Sequence, residues 1–357
     1  MHPRFILSPN IIETIRNNAL QAELQGRLTD AQLELIYREK WFHLFVPVPF
    51  GGLALPLPEA VRLEESLAYA DGSLGWVVTL CAGAGMFIGY FNEDLANEVF
   101  TVPDTCIAGS GQANGTAKAT DGGFMVTGMW PYASGAPHAT HFTGNCIIDG
   151  TGEVRSFIFK RDEVTLHPTW KYLGLNATAG SSYSVSNLRI PANRTFIIDA
   201  AYARLAHPVY RYPFLQLAEA TIAANFAGMC AYFFDLAEAH LINKQSGRLQ
   251  GLINKGLELH AAAIAETERL RSKFYAALEA SWKAHVEDEL TSPAQLSAVS
   301  QTSKQLASQA RNLVNMLYPY CGLDAARTGT IINQVWRNIN TASQHTLLLE
   351  TANSGSL

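Results

Sequence analysis

The residues best suited to chemistry lie between Gly122 and Gly135, which read Gly-Gly-Phe-Met-Val-Thr-Gly-Met-Trp-Pro-Tyr-Ala-Ser-Gly. Asp121-Gly122-Gly123 marks a turn, and the next four residues alternate large apolar with smaller side chains, as a strand does. Gly128 interrupts that run, after which Trp130, Tyr132 and Ser134 fall on alternate positions. Two aromatic rings and a hydroxyl at a strand end, framed by glycines, make a flat wall with a hydrogen-bonding tip for a planar ligand. The same pattern also describes an aromatic strand buried in an ordinary core.

Three more segments stand out. Ile107-Ala-Gly-Ser-Gly-Gln112, with Gly115-Thr116-Ala117 after it, has side chains small enough to let backbone N–H groups approach a ligand. The run from Trp170 to Thr178 leads through a serine-rich stretch to Arg189-Ile190-Pro191. Trp336-Arg337-Asn338 is followed by His345, an imidazole that can give or take a proton near neutrality or simply sit at a helix surface. No P-loop, GxGxxG after a strand, GxSxG elbow or HExxH helix is present. His138 and His141 are spaced three apart but follow a strand without an accompanying carboxylate, so no metal site is expected. Glu64-Glu65 reads as the solvated face of a helix, and Arg248 as a solvated arginine.

These segments need a scaffold, and the bulk composition allows a large one. At 357 residues, 48% apolar and 16% charged, the chain is neither disordered nor in need of disulfide staples. A net charge of −5 without a Lys/Arg run argues against nucleic-acid binding. Cys81, Cys106, Cys146, Cys230 and Cys321 are scattered and odd in number, which fits a reducing, cytoplasmic compartment. The N-terminus lacks the apolar core of a signal peptide. The apolar windows around Trp76 to Phe91 and Ile222 to Phe234 are interrupted by polar or glycine residues, so they read as buried helices and no membrane partner is expected.

The periodicity divides the chain in three. It is helical from Ser8 to about Phe100, with caps at Ser8 or Asn10, at Thr29-Asp30 and at Asp71-Gly72-Ser73. From Thr105 to about Ile198 it becomes rich in Gly, Thr, Ser and β-branched residues, as in a barrel or sandwich. From Tyr212 the helical period returns, implying helices over about 213–244, 250–284, 292–318 and 330–349. The expected fold class is α+β and multi-domain: an N-terminal helical domain over 1–103, a middle β-barrel domain over 104–199 and a C-terminal four-helix bundle over 200–357.

Taken in order, these segments resemble the acyl-CoA dehydrogenase superfamily of flavoproteins over nearly the whole chain. Pro49-Phe-Gly-Gly-Leu53 followed by Glu64-Glu-Ser-Leu-Ala-Tyr-Ala-Asp-Gly-Ser73 is similar to its N-terminal signature. The Gly128-Met-Trp-Pro-Tyr-Ala-Ser-Gly135 run and the Trp336-Arg-Asn…His345 run resemble the flavin-dependent, two-component monooxygenase branch most closely.

The resemblance implies a flavin cofactor, FAD or FMN, held by Ser110, Gln112, Tyr132, Ala133, Ser134, Trp170 and Thr178. In it Tyr132 packs against the isoalloxazine, Ser134 meets flavin N5 and Ile107–Gln112 forms a loop at the pyrimidine edge. Trp170 and Thr178 fall in a strand region near the ribityl and phosphate groups, and Gly322 in a loop reaching the cofactor across a subunit interface. It further implies a homotetramer, a small-molecule substrate and a separate flavin reductase as partner. His345 takes the catalytic position, as acid or base.

Two departures from the pattern bear on the chemistry. The dehydrogenases use a glutamate to remove an α-proton, and the ninth residue after Arg337 is Thr346, the nearest carboxylate being Glu350. The usual Arg-Asp pair is Arg337-Asn338, and a second histidine carried by some hydroxylases is replaced by Ala84. A monooxygenase using reduced flavin and oxygen is therefore the leading expectation. Acyl-thioester dehydrogenation with some other base, or a ligand-binding relic without turnover, are the alternatives.

Overall fold

The computed structural model describes residues 2–102, 104–243, 250–288 and 291–349. Arg248, Glu350 and the terminal residues 351–357 lie outside them. The first helices begin where their caps predict. The Ser8 hydroxyl accepts from Ile11 N at the start of α1 (Pro9–Gln25), and Thr29 and Gln32 form a capping box on α2 (Asp30–Arg38). α3 (Leu57–Ala70) ends at Asp71, whose carboxylate accepts from Leu74 N and starts α4 (Gly72–Gly85). α5 (Glu93–Phe100) is capped by Asn92.

The middle of the chain forms one sheet of seven strands: β1 (Ile107–Thr120), β2 (Gly123–Ala133), β3 (His141–Ile148), β4 (Val154–Lys160), β5 (Thr165–His167), β6 (Ser181–Pro191) and β7 (Thr195–Phe196). Their order is β5-β6-β2-β1-β3-β4-β7, with β1 and β3 parallel and every other neighbouring pair antiparallel. This corrects the expected barrel. The sheet is open, and its edge strands, three and two residues long, offer too short a ladder to pair with each other. The expected loop Ile107–Gln112 is also corrected, being the first part of β1. Its glycines serve close strand pairing, since a Cβ on Gly109 would lie 2.3 Å from Thr143 Oγ1.

The C-terminal helices are α6 (Phe214–Ile242), α7 (Gln250–Asp288), α8 (Pro293–Leu317), the short α9 (Leu323–Ala326) and α10 (Ile331–Ala342). α6, α7 and α8 pack pairwise, and α10 lies against α6 and α8. α10 stops at Ala342, so the helix expected to reach 349 is shorter, and His345 instead caps a 3-10 turn, Thr346–Leu348.

Two hydrophobic clusters hold this arrangement. One runs through the N- and C-terminal helices and includes Ala68, Val77, Phe226, Leu306 and Ile339. The other fills the sheet with Trp130, Phe142, Phe157, Phe159 and Tyr183. Burial of each such ring contributes about 1.5–3 kcal/mol.

Gly72–Tyr90 and Phe214–Ile242 are long and apolar enough to cross a membrane, yet 83% and 89% of their apolar windows are buried in this core, which accounts for their composition. Glu64 and Glu65, expected on a solvated face, are both fully buried. Glu65 takes a bidentate pair from Arg271 on α7 and the hydroxyl of Tyr275, so the face of α3 that looks polar in sequence is turned inward onto another helix. Burial raises the Glu64 pKa well above the usual carboxylate range, which keeps its unpartnered carboxyl neutral.

Candidate functional site

Trp130 belongs to the interior. It is fully buried, stacks on Tyr183 with ring centroids 5.2 Å apart and donates from Nε1 to Asn145 O at 2.9 Å. Its indole lies over Gly115, Gly128 and Gly144, and a Cβ at any of them would come within 2.4–2.7 Å of a heavy atom, the ring itself at Gly115 and Gly144. The expected alternation, with Trp130, Tyr132 and Ser134 on one face, does not hold. The β2–β6 register shifts between Trp130 and Ala133, and Tyr132 has φ 65°. That left-handed turn swings the Tyr132 ring out, so it is 50% exposed while Ala133 is fully buried and Ser134 is 4% exposed.

A bulky side chain at positive φ carries strain of about 1–3 kcal/mol. Ser134 N donates to Tyr132 O, and Gly135 N donates to Thr178 O at 2.8 Å, which fixes the bend. Ser134 is nearly buried as a residue, but its hydroxyl is not one of the buried polar atoms left without a partner, so its oxygen reaches the surface beside Tyr132. A free hydroxyl beside an outward aromatic ring, on a backbone held in a strained bend, fits the edge and face of a planar heteroaromatic ligand.

The Trp170–Thr178 run, expected as strand, is a loop ending in a 3-10 turn (Asn176–Thr178). Trp170 packs on Gly180 and lies 4.4 Å, centroid to centroid, from Tyr172, which in turn is 6.3 Å from Tyr132. The neighbouring Tyr132 hydroxyl raises the Tyr172 pKa. Thr178 is fully buried and spends its hydroxyl on Leu175 O at 2.7 Å, so it presents backbone rather than side chain here. Leu175 and Ala179 also have positive φ, 55° and 47°. Non-glycine residues in this conformation thus gather around the Tyr132–Thr178 junction.

Ser110 is half-buried on β1, where the β1–β3 register shifts between it and Gly115, and Gln112 is exposed and accepts from Asn114. Gly322, at φ 82°, lies on the C-terminal helical side between a 3-10 turn and α9, apart from these strands.

α4 connects the strand end to His345. The Cys81 thiol donates to Ser134 O at 3.7 Å, and a Cβ on Gly135 would meet Cys81 and Val77. Trp76 meets His345 edge-on, centroids 5.8 Å apart. Trp76 and Cys81 are five residues apart on one helix, about 7.5 Å along its axis. Burial lowers the His345 pKa, and its Nδ1 accepts from Leu347 N at 3.3 Å, so the neutral ring carries its proton on Nε2.

Two clefts lie elsewhere. One of about 220 Å3 is lined by Tyr37, His43 and Phe100, and one of about 470 Å3 by His141, Lys160 and Arg161; neither includes Tyr132, Ser134 or His345. Among the described residues no group of three or more His, Cys, Asp or Glu is placed to hold a metal ion.

Sequence reasoning missed Cys81, Tyr172 and the part played by Asn338, whose Oδ1 accepts from Leu175 N at 2.6 Å. Tyr172 could have been found from its position two residues after Trp170. Cys81 and Asn338 act across the fold and leave no local signal.

No family model matches the chain. Among curated proteins it is 28% identical over 326 residues to the pigment production hydroxylase of a Rhodococcus species, covering 86% of this chain and 82% of that one. It is 24% identical over 360 residues to the flavin-dependent monooxygenase, oxygenase subunit HsaA, of Rhodococcus jostii, covering 94% and 92%. Among solved structures, the 3-HSA hydroxylase of Rhodococcus sp. RHA1 superposes with a TM-score of 0.89 at 21% identity, covering 95% of this chain and 91% of that one. XiaF from Streptomyces, in complex with FADH2 and glycerol, superposes with a TM-score of 0.80 at 20% identity, covering 95% and 89%. These likenesses establish the acyl-CoA dehydrogenase-like fold.

Proposed function

We infer that this chain belongs to the acyl-CoA dehydrogenase-fold flavoproteins and is the oxygenase component of a flavin-dependent monooxygenase acting on a small organic substrate. The observation that carries the site is the strained, outward Tyr132 with the free Ser134 hydroxyl opening beside it. When bound, the flavin supplies oxygen activation and transfer of one oxygen atom to the substrate. Tyr132 gives its ring a wall, and Ser134 Oγ–H donates to a ring nitrogen. On this reading Ser110, Gln112 and Ala133 complete the cofactor's surroundings, with Trp170 and the Thr178 backbone towards its phosphate end.

His345 holds its proton on Nε2 and is uncharged at pH 7, so it acts first as a donor rather than as a base. Edge-on contact with Trp76 fixes the plane in which that proton is offered.

Reduced flavin comes from a separate reductase. FAD and FMN both remain candidates, and titration of each in reduced form decides between them. The three domains divide at 103/104 and 199/200, the last forming a four-helix bundle of α6, α7, α8 and α10. Four copies assemble as a homotetramer in which exposed Leu24, Leu173 and Leu323 are covered and Gly322 faces the neighbouring subunit's cofactor. The five buried free thiols support a cytoplasmic location.

The test is turnover under 18O2 with reduced flavin and small aromatic substrates. A product gaining one labelled oxygen atom is expected. Anaerobic bleaching of bound oxidised flavin by an acyl-CoA, with no oxygenated product, would overturn the assignment.

A further inference from the structure

We propose that Asn338 is a positioning residue that ties the cofactor-facing strand end to α10, the helix that leads into His345, through a chain of hydrogen bonds; the link to catalysis rests on the flavin reading above. The chain begins at Asn338, 2% exposed on α10, whose Oδ1 accepts from Leu175 N at 2.6 Å. Leu175 O accepts from both the backbone N, at 3.0 Å, and the hydroxyl, at 2.7 Å, of Thr178. Thr178 O then accepts from Gly135 N at 2.8 Å, and Gly135 directly follows Ser134.

The neighbouring contacts leave this loop little freedom to slide. Gly174 sits so close to the Arg337 carbonyl and Asn338 N that a Cβ would come within 2.4–2.6 Å of them. Arg337 Nη1 donates to Leu173 O at 3.0 Å and pairs with Glu23 at 2.5 Å. Residues 173–175 are therefore pinned to one turn of α10. Leu175 and Ala179 are held at positive φ at either end of the turn that passes the restraint on. His345 follows the same helix, donating its backbone N–H to Ala342 O at 3.0 Å. Ser134 and His345 thus share α10 as a common reference, and Asn338 supplies the side-chain acceptor that joins the two.

Amide hydrogen exchange on the cofactor-free protein tests the relay. Asn338→Ala should accelerate exchange at Leu175, Thr178 and Gly135 together, by about tenfold or more, while the Trp130 segment of β2 keeps its protection. Asn338→Asp keeps an oxygen acceptor at the same place and should restore all three. Should Asn338→Ala fail to fold, Asn338→Ser, whose shorter side chain withdraws the acceptor, serves the same comparison.

As a second readout, the dissociation constant for reduced flavin should rise about tenfold in Asn338→Ala and recover in Asn338→Asp. Faster exchange at Leu175 with unchanged Gly135 refutes the relay, as does an Asn338→Asp variant that behaves like Asn338→Ala. Coupled exchange in a protein that binds no flavin in any form, wild type included, leaves the relay standing and refutes the flavin reading instead.

Discussion

Trp130 and Ser134 are four residues apart on one strand and its end, and they answer to opposite demands. Around Trp130 every requirement of a stable interior is met: the ring is fully buried, its N–H is bonded, and three glycines make room for it. Around Ser134 the interior rules are broken. A tyrosine is held at positive φ, its ring is half in solvent, and the hydroxyl of a nearly buried serine is spent on no protein partner but opens to the surface. Where packing and hydrogen bonding are complete, the residue explains itself by stability. Where they are incomplete in a place so firmly bonded through its backbone, stability alone does not account for the arrangement, and the proposed flavin site does.

The comparison can be broken from either side. The largest effect expected is at Trp130→Ala, which should cost about 3–5 kcal/mol of unfolding free energy in urea denaturation. A loss under 1 kcal/mol would mean the glycine-lined cavity collapses and the Trp130 side is not the rigid half. Next, His345→Ala should cut hydroxylation by about 100-fold or more while leaving the denaturation midpoint and flavin affinity in place. Unchanged turnover would remove His345 from the reaction.

His138, just beyond the strand end, sharpens the contrast through pH. Burial depresses its pKa from 6.5 to about 4, so it favours the neutral form in the folded protein. Its contribution is fully present above pH 6.5 and is lost as pH falls towards 4, by up to roughly 3 kcal/mol. His138→Gln should flatten that acid limb, and an identical limb in the variant would exclude His138 as its cause. The smallest effect on folding is expected at Tyr132→Gly. Glycine accepts the left-handed backbone, so stability should hold or rise by about 1 kcal/mol even as flavin binding weakens. A clear destabilisation would mean that the Tyr132 ring is a structural contact.

Part of this was legible in sequence because the signals are local. Ser8, Thr29 and Asp71 cap the helices they were expected to cap, and β2 begins at the Asp121-Gly122-Gly123 turn. What failed depends on partners distant in the chain. β1 looked like a glycine-rich loop because its glycines serve close approach to Thr143 and Trp130, which only the folded sheet reveals. Glu65 looked solvated because its partner, Arg271, is 206 residues away. The end of α10 at Ala342 has no glycine or proline to announce it, so His345 was expected on a helix and instead caps the turn after it. At the strand end, Tyr132 and Ser134 were identifiable by type, but the positive φ that separates them from Trp130 was not.

The most direct test is an anaerobic titration of reduced FAD and reduced FMN into the wild-type protein and Ser134→Ala, with urea denaturation run on both. Saturable binding by the wild type is expected, with a dissociation constant about tenfold higher in Ser134→Ala and a stability change within about 0.5 kcal/mol. Equal affinity in the two proteins, or no binding of either flavin by the wild type, would contradict a flavin seated at this strand end.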